Sequence, residues 1–181
     1  MVNTYVNSIR KAGSGPRGLA RALFDRIPKN RLYKIKEEEV RTTTGMYSSL
    51  MQVYLAYLCN KNACSWPSGR PLEDVLLEHL NNDPLAVHHI FPKKFMQDRD
   101  DFPVEKLNSV ANYAILSQAD NAELSDRDPF DVWRSLRPNQ REWASVQMGF
   151  TAREDLLKAY EEFLDFRAEK LAEQLNEFLG L

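Results

Sequence analysis

Apolar residues along this chain fall into helical spacing at both ends and into short unbroken runs in the middle. Between residues 46 and 58, Met46, Leu50, Val53, Tyr54 and Tyr57 lie three or four positions apart, which predicts a helix with one buried face. Upstream, residues 19–27 read as a short basic helix. The stretch EDVLLEHL, residues 73–80, predicts a third, set apart by the chain-breaking SWPSGRP of residues 65–71. Near the end, Leu157, Tyr160, Leu164, Ala168, Leu171, Leu175 and Phe178 recur in steps of three and four between charged residues. That pattern predicts a long amphipathic helix over about 152–179 whose apolar stripe packs against a core or a partner.

The middle of the chain breaks the helical rule. PLAVHHIF (84–91) and NYAILS (112–117) are short apolar runs with β-branched and aromatic members, each bounded by turn residues, and both predict strands. The intervening PKKFMQDRDDFPVEKLNSVA (92–111) is too long for a tight hairpin and reads as a loop, and loops of that length in compact domains tend to be functional. The expected fold is therefore α+β and mainly helical, with the two strands embedded between N-terminal helices and a long C-terminal helix.

Charge divides the chain more sharply than its net value of −2 suggests. The first fifty residues carry ten Lys and Arg against four Asp and Glu, whereas residues 151–181 carry four against eight. Residues 1–44 are expected to form a basic arm and helix, with AGSGPRG at 12–18 as a flexible join; the basic surface suits phosphates or a partner equally. Cys59 and Cys64 lack the further Cys or His partners of a four-ligand structural zinc site and are expected to be reduced thiols. With no signal peptide and no apolar run near the ~20 residues of a membrane span, a cytoplasmic location is expected.

Chemistry concentrates at one point. Of three histidines, two are adjacent, His88 and His89, at the end of the first predicted strand. Neighbours on a regular strand point to opposite faces, so either a bend brings both to one site or the two imidazoles work from different sides. Imidazole suits both tasks open to it, metal ligation and proton transfer near neutral pH. Taken singly, each reads equally well as a satisfied core or strand-end residue.

The ordered set is more informative. H-H-I-F-P, a loop, N-Y-A-I-L-S from Asn112, and Asn121 nine positions later together resemble the HNH endonucleases of the ββα-metal superfamily. Within it, the LMQVYLAYL helix, the W-x-x-G turn, SDRDPFDVW and the closing YEEFLDFRAEKLAEQLNEFL resemble the C-terminal nuclease part of GmrSD-type modification-dependent restriction proteins. The resemblance covers roughly residues 45–181, with a ββα-metal core at about 84–136.

It implies a divalent-metal-dependent DNA endonuclease acting in defence. His88 and Asn121 would be metal ligands, His89 the general base, and Asn112 the residue that holds the loop and orients the base. Mg²⁺ is the implied ion, with Mn²⁺, Ni²⁺ or Zn²⁺ admitted by the His ligand. Lys93, Lys94 and Arg127 would contact the DNA backbone, although solvated charge explains them equally. Asp98, Asp100 and Asp101 read as a solvated loop tip. Such proteins carry a nucleotide-hydrolysing domain with a D-G-Q-Q-R-like signature, and no such stretch occurs here. The expected partners are therefore DNA, a separate nucleotide-hydrolysing regulatory subunit and a second copy of the chain. The alternative is a non-catalytic nucleic-acid-binding or interaction subunit with the same fold.

Overall fold

The computed structural model describes residues 33–45, 47–79, 85–100, 107–148 and 160–181. The predicted arm, its join at 12–18 and the helix at 19–27 lie outside the described residues, as do Met46, Asp101 and Leu157. The described chain is mainly helical, with two small antiparallel sheets of two strands each.

Local signals explain most elements. Helix α1 (Glu37–Thr42) places three glutamates in its first turn and Arg41 in its last, in register with the helix dipole. Helix α2 (Ser49–Asn60) starts at Ser48, whose hydroxyl accepts from the Met51 amide at 3.1 Å. Its buried set, Leu50, Met51, Val53, Tyr54, Ala56, Tyr57, Leu58 and Cys59, spans most of the circumference, so α2 lies inside the fold.

A tight hairpin follows, with β1 (Cys64–Ser65) paired to β2 (Arg70–Pro71). Gly69 closes it at φ +76, and a Cβ there would run into the Trp143 ring, so both backbone and packing demand glycine. Helix α3 is Leu72–His79.

Strand β3 (Ala86–His89) leads into helix α4 (Lys93–Asp100). The segment 92–111, expected to be a loop, is thus partly helical. Phe95 and Met96 are buried in the core and the Phe95 ring meets Phe91 at 6.4 Å, and this packing favours helix in a stretch whose hydrophobic pattern is weak. A 3₁₀ turn (Val110–Asn112) feeds strand β4 (Tyr113–Leu116), and helix α5 (Gln118–Leu124) begins at Ser117, whose hydroxyl accepts from the Asp120 amide. Helix α6 (Pro129–Ser135) is set by Asp128 as N-cap and proline at the first helical position. Helix α7 is Pro138–Met148, and α8 (Tyr160–Leu179) is the described part of the predicted C-terminal helix.

Helix α8 packs on α1, α2 and the 3₁₀ turn. Its buried face is wider than the apolar stripe: it includes Arg167 and Asn176. Arg167 is fully buried, and its guanidinium donates to the carbonyls of Val110 (2.9 Å), Ala111, Tyr113 (2.7 Å) and Gln147 (3.0 Å) and to the Tyr54 hydroxyl (3.2 Å). One side chain thereby ties α8 to α2, to the end of α7, and to the turn and strand that precede α5.

Three buried carboxamides act in one common way. Asn112 pairs with the N–H and C=O of Phe91, Gln147 with those of Ile115, and Asn176 with those of Ile35. Each satisfies one residue's donor and acceptor as a neighbouring strand would.

Candidate active site

Strands β3 and β4 form a regular ladder in which His88 stands opposite Ala114 and His89 opposite Tyr113. With no bulge, the adjacent imidazoles take opposite faces, the divided arrangement that strand geometry allows. His88 is buried and faces helix α5, with Nδ1 3.0 Å from Oδ1 of Asn121 and its ring edge-on to Trp66 at 6.1 Å. His89, at the strand end, is half-buried. Its Nε2 lies 3.1 Å from Oδ1 of Asn108, and its ring is edge-on to Tyr113 at 5.1 Å.

Asn112 lies in the 3₁₀ turn directly before β4. Its Oδ1 accepts from the Phe91 amide at 2.9 Å, and its Nδ2 donates to the carbonyls of Phe91 (3.2 Å) and Leu107 (3.0 Å). Its own carbonyl accepts from the Ile90 amide at 2.8 Å. Asn112 therefore fixes the backbone immediately after His89, and its side-chain hydrogen bonds go to Phe91 and Leu107 rather than to an imidazole.

The β1–β2 hairpin supports the other half of the site. Ser65 accepts from the Ser117 amide at 2.9 Å and donates to the buried Asp120 carboxylate, which also accepts from Ser68 at 2.7 Å. This anchors the first turn of α5, and Asn121 is the next residue. Trp66, between the two serines' strand and turn, packs on His88, so the hairpin sets both members of the His88–Asn121 pair.

Burial makes both imidazoles neutral near pH 7. His88 is pushed down to about 4, first by desolvation and further by the neighbouring His89, against the opposing hydrogen bond to Asn121 and the Asp126 carboxylate. His89 is lowered by desolvation and by Lys93, against the bond to Asn108. A neutral ring is the form that ligates a metal or accepts a proton.

This has a consequence for stability. Between pH 6.5 and about 4 the unfolded chain takes up a proton at residue 88 that the folded chain refuses, so the folded state loses stability as pH falls through that window. The loss from His88 is expected to be about 3 kcal/mol. Urea unfolding at pH 7 and pH 4.5 should show it, and His88→Gln should flatten the difference; an unchanged slope in that variant would assign the acid sensitivity elsewhere.

The His88–Asn121 pair also fits a divalent ion. An amide oxygen only accepts, so the proton between the two atoms belongs to Nδ1, and an ion can take that proton's place. At 3.0 Å the two atoms are close enough that both would reach one ion held between them. Among the described residues no group of three or more His, Cys, Asp or Glu converges on a point.

Lys93 and Lys94 open α4, directly after the His89 strand, and exposed Arg127 follows α5. They therefore border the two elements that carry the site. Cys59 and Cys64 are free thiols, both raised by burial, Cys59 to about 12.

No family model, curated protein or solved structure matches the chain. Among the described residues no helix is long and apolar enough to cross a membrane.

Sequence reasoning did not single out Asn108, Ser65, Ser68, Asp120, Gln147 or Arg167. Asn108 and Asp120 carried a weak signal, polar residues close to Asn112 and Asn121 in segments that had to be ordered. For Gln147 and Arg167 no local signal exists, because their partners lie on other elements.

Proposed function

We propose that this chain is a divalent-metal-dependent DNA endonuclease that hydrolyses phosphodiester bonds by HNH-type chemistry, acting in the cytoplasm in restriction of foreign DNA. The observation that most supports the reading is the His88 Nδ1 to Asn121 Oδ1 pair at 3.0 Å, set between β3 and α5 beside a second neutral imidazole. This is a strand–strand–helix arrangement built from the same residues that carry the sequence resemblance.

His88 and Asn121 are the residues that would hold Mg²⁺, or Mn²⁺, Ni²⁺ or Zn²⁺. Once bound, the ion supplies positive charge to the phosphate and to the leaving 3′ oxygen. His89 accepts the proton of the attacking water. Because its Nε2 faces an amide oxygen and carries the proton, the accepting atom is Nδ1. Asn112 contributes by holding Phe91, two residues after His89, and Leu107, the neighbour of Asn108. Lys93, Lys94 and Arg127 contact backbone phosphates. The resemblance adds a separate nucleotide-hydrolysing subunit and pairing of two chains as proposed partners.

The test is nicking and linearisation of plasmid by the purified chain with Mg²⁺, Mn²⁺ or EDTA, together with calorimetric titration of Mn²⁺. About one ion per chain and metal-dependent cutting are expected, with His88→Ala and Asn121→Ala each weakening the ion about 10- to 100-fold. DNA binding with neither an ion nor cutting would instead make the chain a non-catalytic binding subunit.

A further inference from the structure

We infer that Asn108 is the positioning residue of His89, holding its ring in the one tautomer and orientation that leaves Nδ1 free to accept a proton. The inference rests on the proposed nuclease reading for what His89 does, and on geometry alone for how Asn108 acts.

Oδ1 of Asn108 lies 3.1 Å from Nε2 of His89, and an amide oxygen can only accept. The proton of the neutral ring therefore sits on Nε2, and the lone pair sits on Nδ1. The edge-on contact with Tyr113 restrains the ring from a second direction, and Tyr113 is itself held by its hydroxyl donating to the Thr44 carbonyl at 3.2 Å. One hydrogen bond and one ring contact from different elements fix both the rotation and the tautomer.

Asn108 can perform this task because the backbone on both sides of it is anchored. The Leu107 carbonyl accepts from Nδ2 of Asn112, and the Ser109 hydroxyl accepts from the Ala111 amide at 3.1 Å. A path of contacts thus runs from the buried Asn112 through Leu107 and Asn108 to His89. This gives Asn112 a route to the base through Asn108. An amide is also the fitting acceptor. Its oxygen meets the Nε2 proton without placing a full charge beside the ring.

The test compares the wild type, Asn108→Leu and Asn108→Asp, since leucine approximates the shape without an acceptor and aspartate keeps an oxygen in place. Nitrogen-15 NMR of the His89 ring at neutral pH is expected to show an exchange-protected proton on Nε2 in the wild type and the aspartate variant, lost from view in the leucine variant. A wild-type ring protonated at Nδ1 would overturn the inference. Cleavage by Asn108→Leu is expected to fall about 10- to 100-fold in kcat, with KM and Mn²⁺ affinity unchanged and most of the loss recovered in Asn108→Asp. Wild-type kcat in Asn108→Leu, in a chain whose His89→Ala variant is inactive, would overturn the positioning role. Absence of cleavage by every form would refute the nuclease reading, while the NMR arm would still decide which nitrogen Asn108 holds.

Discussion

Arg167→Met is expected to lower the free energy of unfolding by about 3–5 kcal/mol. Two effects compete. Methionine keeps much of the apolar volume and removes the desolvation cost of a buried cation, which in other settings makes such a replacement neutral or stabilising. Against that, four carbonyls and the Tyr54 hydroxyl lose a charged donor in one step. The Gln147 carbonyl keeps its bond from Tyr54, and the Val110 carbonyl keeps its bond from the Tyr113 amide. Some acceptors are thus left short, each at about 1–3 kcal/mol, and that loss outweighs the relief. Burial lowers the Arg167 pKa, but a guanidinium stays charged, so the cation cannot escape the cost by giving up its proton. Lysine should rescue little, because one ammonium with three donors cannot span acceptors on four elements. Urea unfolding of the three proteins measures this. A methionine variant as stable as the wild type would show that desolvation, not donor loss, dominates.

His89→Ala is expected to reduce plasmid cleavage by about 10²- to 10⁴-fold, the usual contribution of a positioned general base. Stability should change little, because His89 is half-buried at a strand end and its polar contact is one hydrogen bond to Asn108. DNA affinity should be retained, since the phosphate contacts are assigned to Lys93, Lys94 and Arg127. Partial recovery of cutting by imidazole added to solution is expected for a lost base and not for a distorted fold. Cleavage at the wild-type rate in this variant would remove His89 from the chemistry and leave the His88–Asn121 pair without a base.

These two variants probe opposite ends of one assembly. Arg167 holds the carbonyls of Val110, Ala111 and Tyr113, and Asn112 lies between them and holds Phe91 and Leu107. Damage at Arg167 therefore reaches the site through backbone that carries its supports. Gln147 adds a further brace, covering at Ile115 the edge of β4 that β3 leaves unpaired, so β4 is held on both sides. A short ladder of this kind is marginal alone, and the buried amides and guanidinium supply what further strands would supply elsewhere.

The sequence by itself determined the elements whose causes are local: the helical spacing of α2 and α8, the break around Gly69, the two strands, and the grouping of His88, His89, Asn112 and Asn121 around them. The elements rest on periodicity, capping or turn chemistry acting within a few residues, whereas the grouping of those four residues rests on the resemblance to HNH endonucleases. The tertiary structure decided that 93–100 is helical, since that depends on burial of Phe95 and Met96 in a core made by distant segments. It decided which face each histidine takes and that Asn108, rather than Asn112, meets His89. It also decided that Arg167 sits inside the protein. A hydrogen bond's partner is chosen by where the folded backbone leaves an unmet donor or acceptor, and Arg167 reaches Val110 across 57 positions and Asn176 reaches Ile35 across 141. Spacing along the chain records the face a residue occupies; only the closed fold sets what stands opposite it.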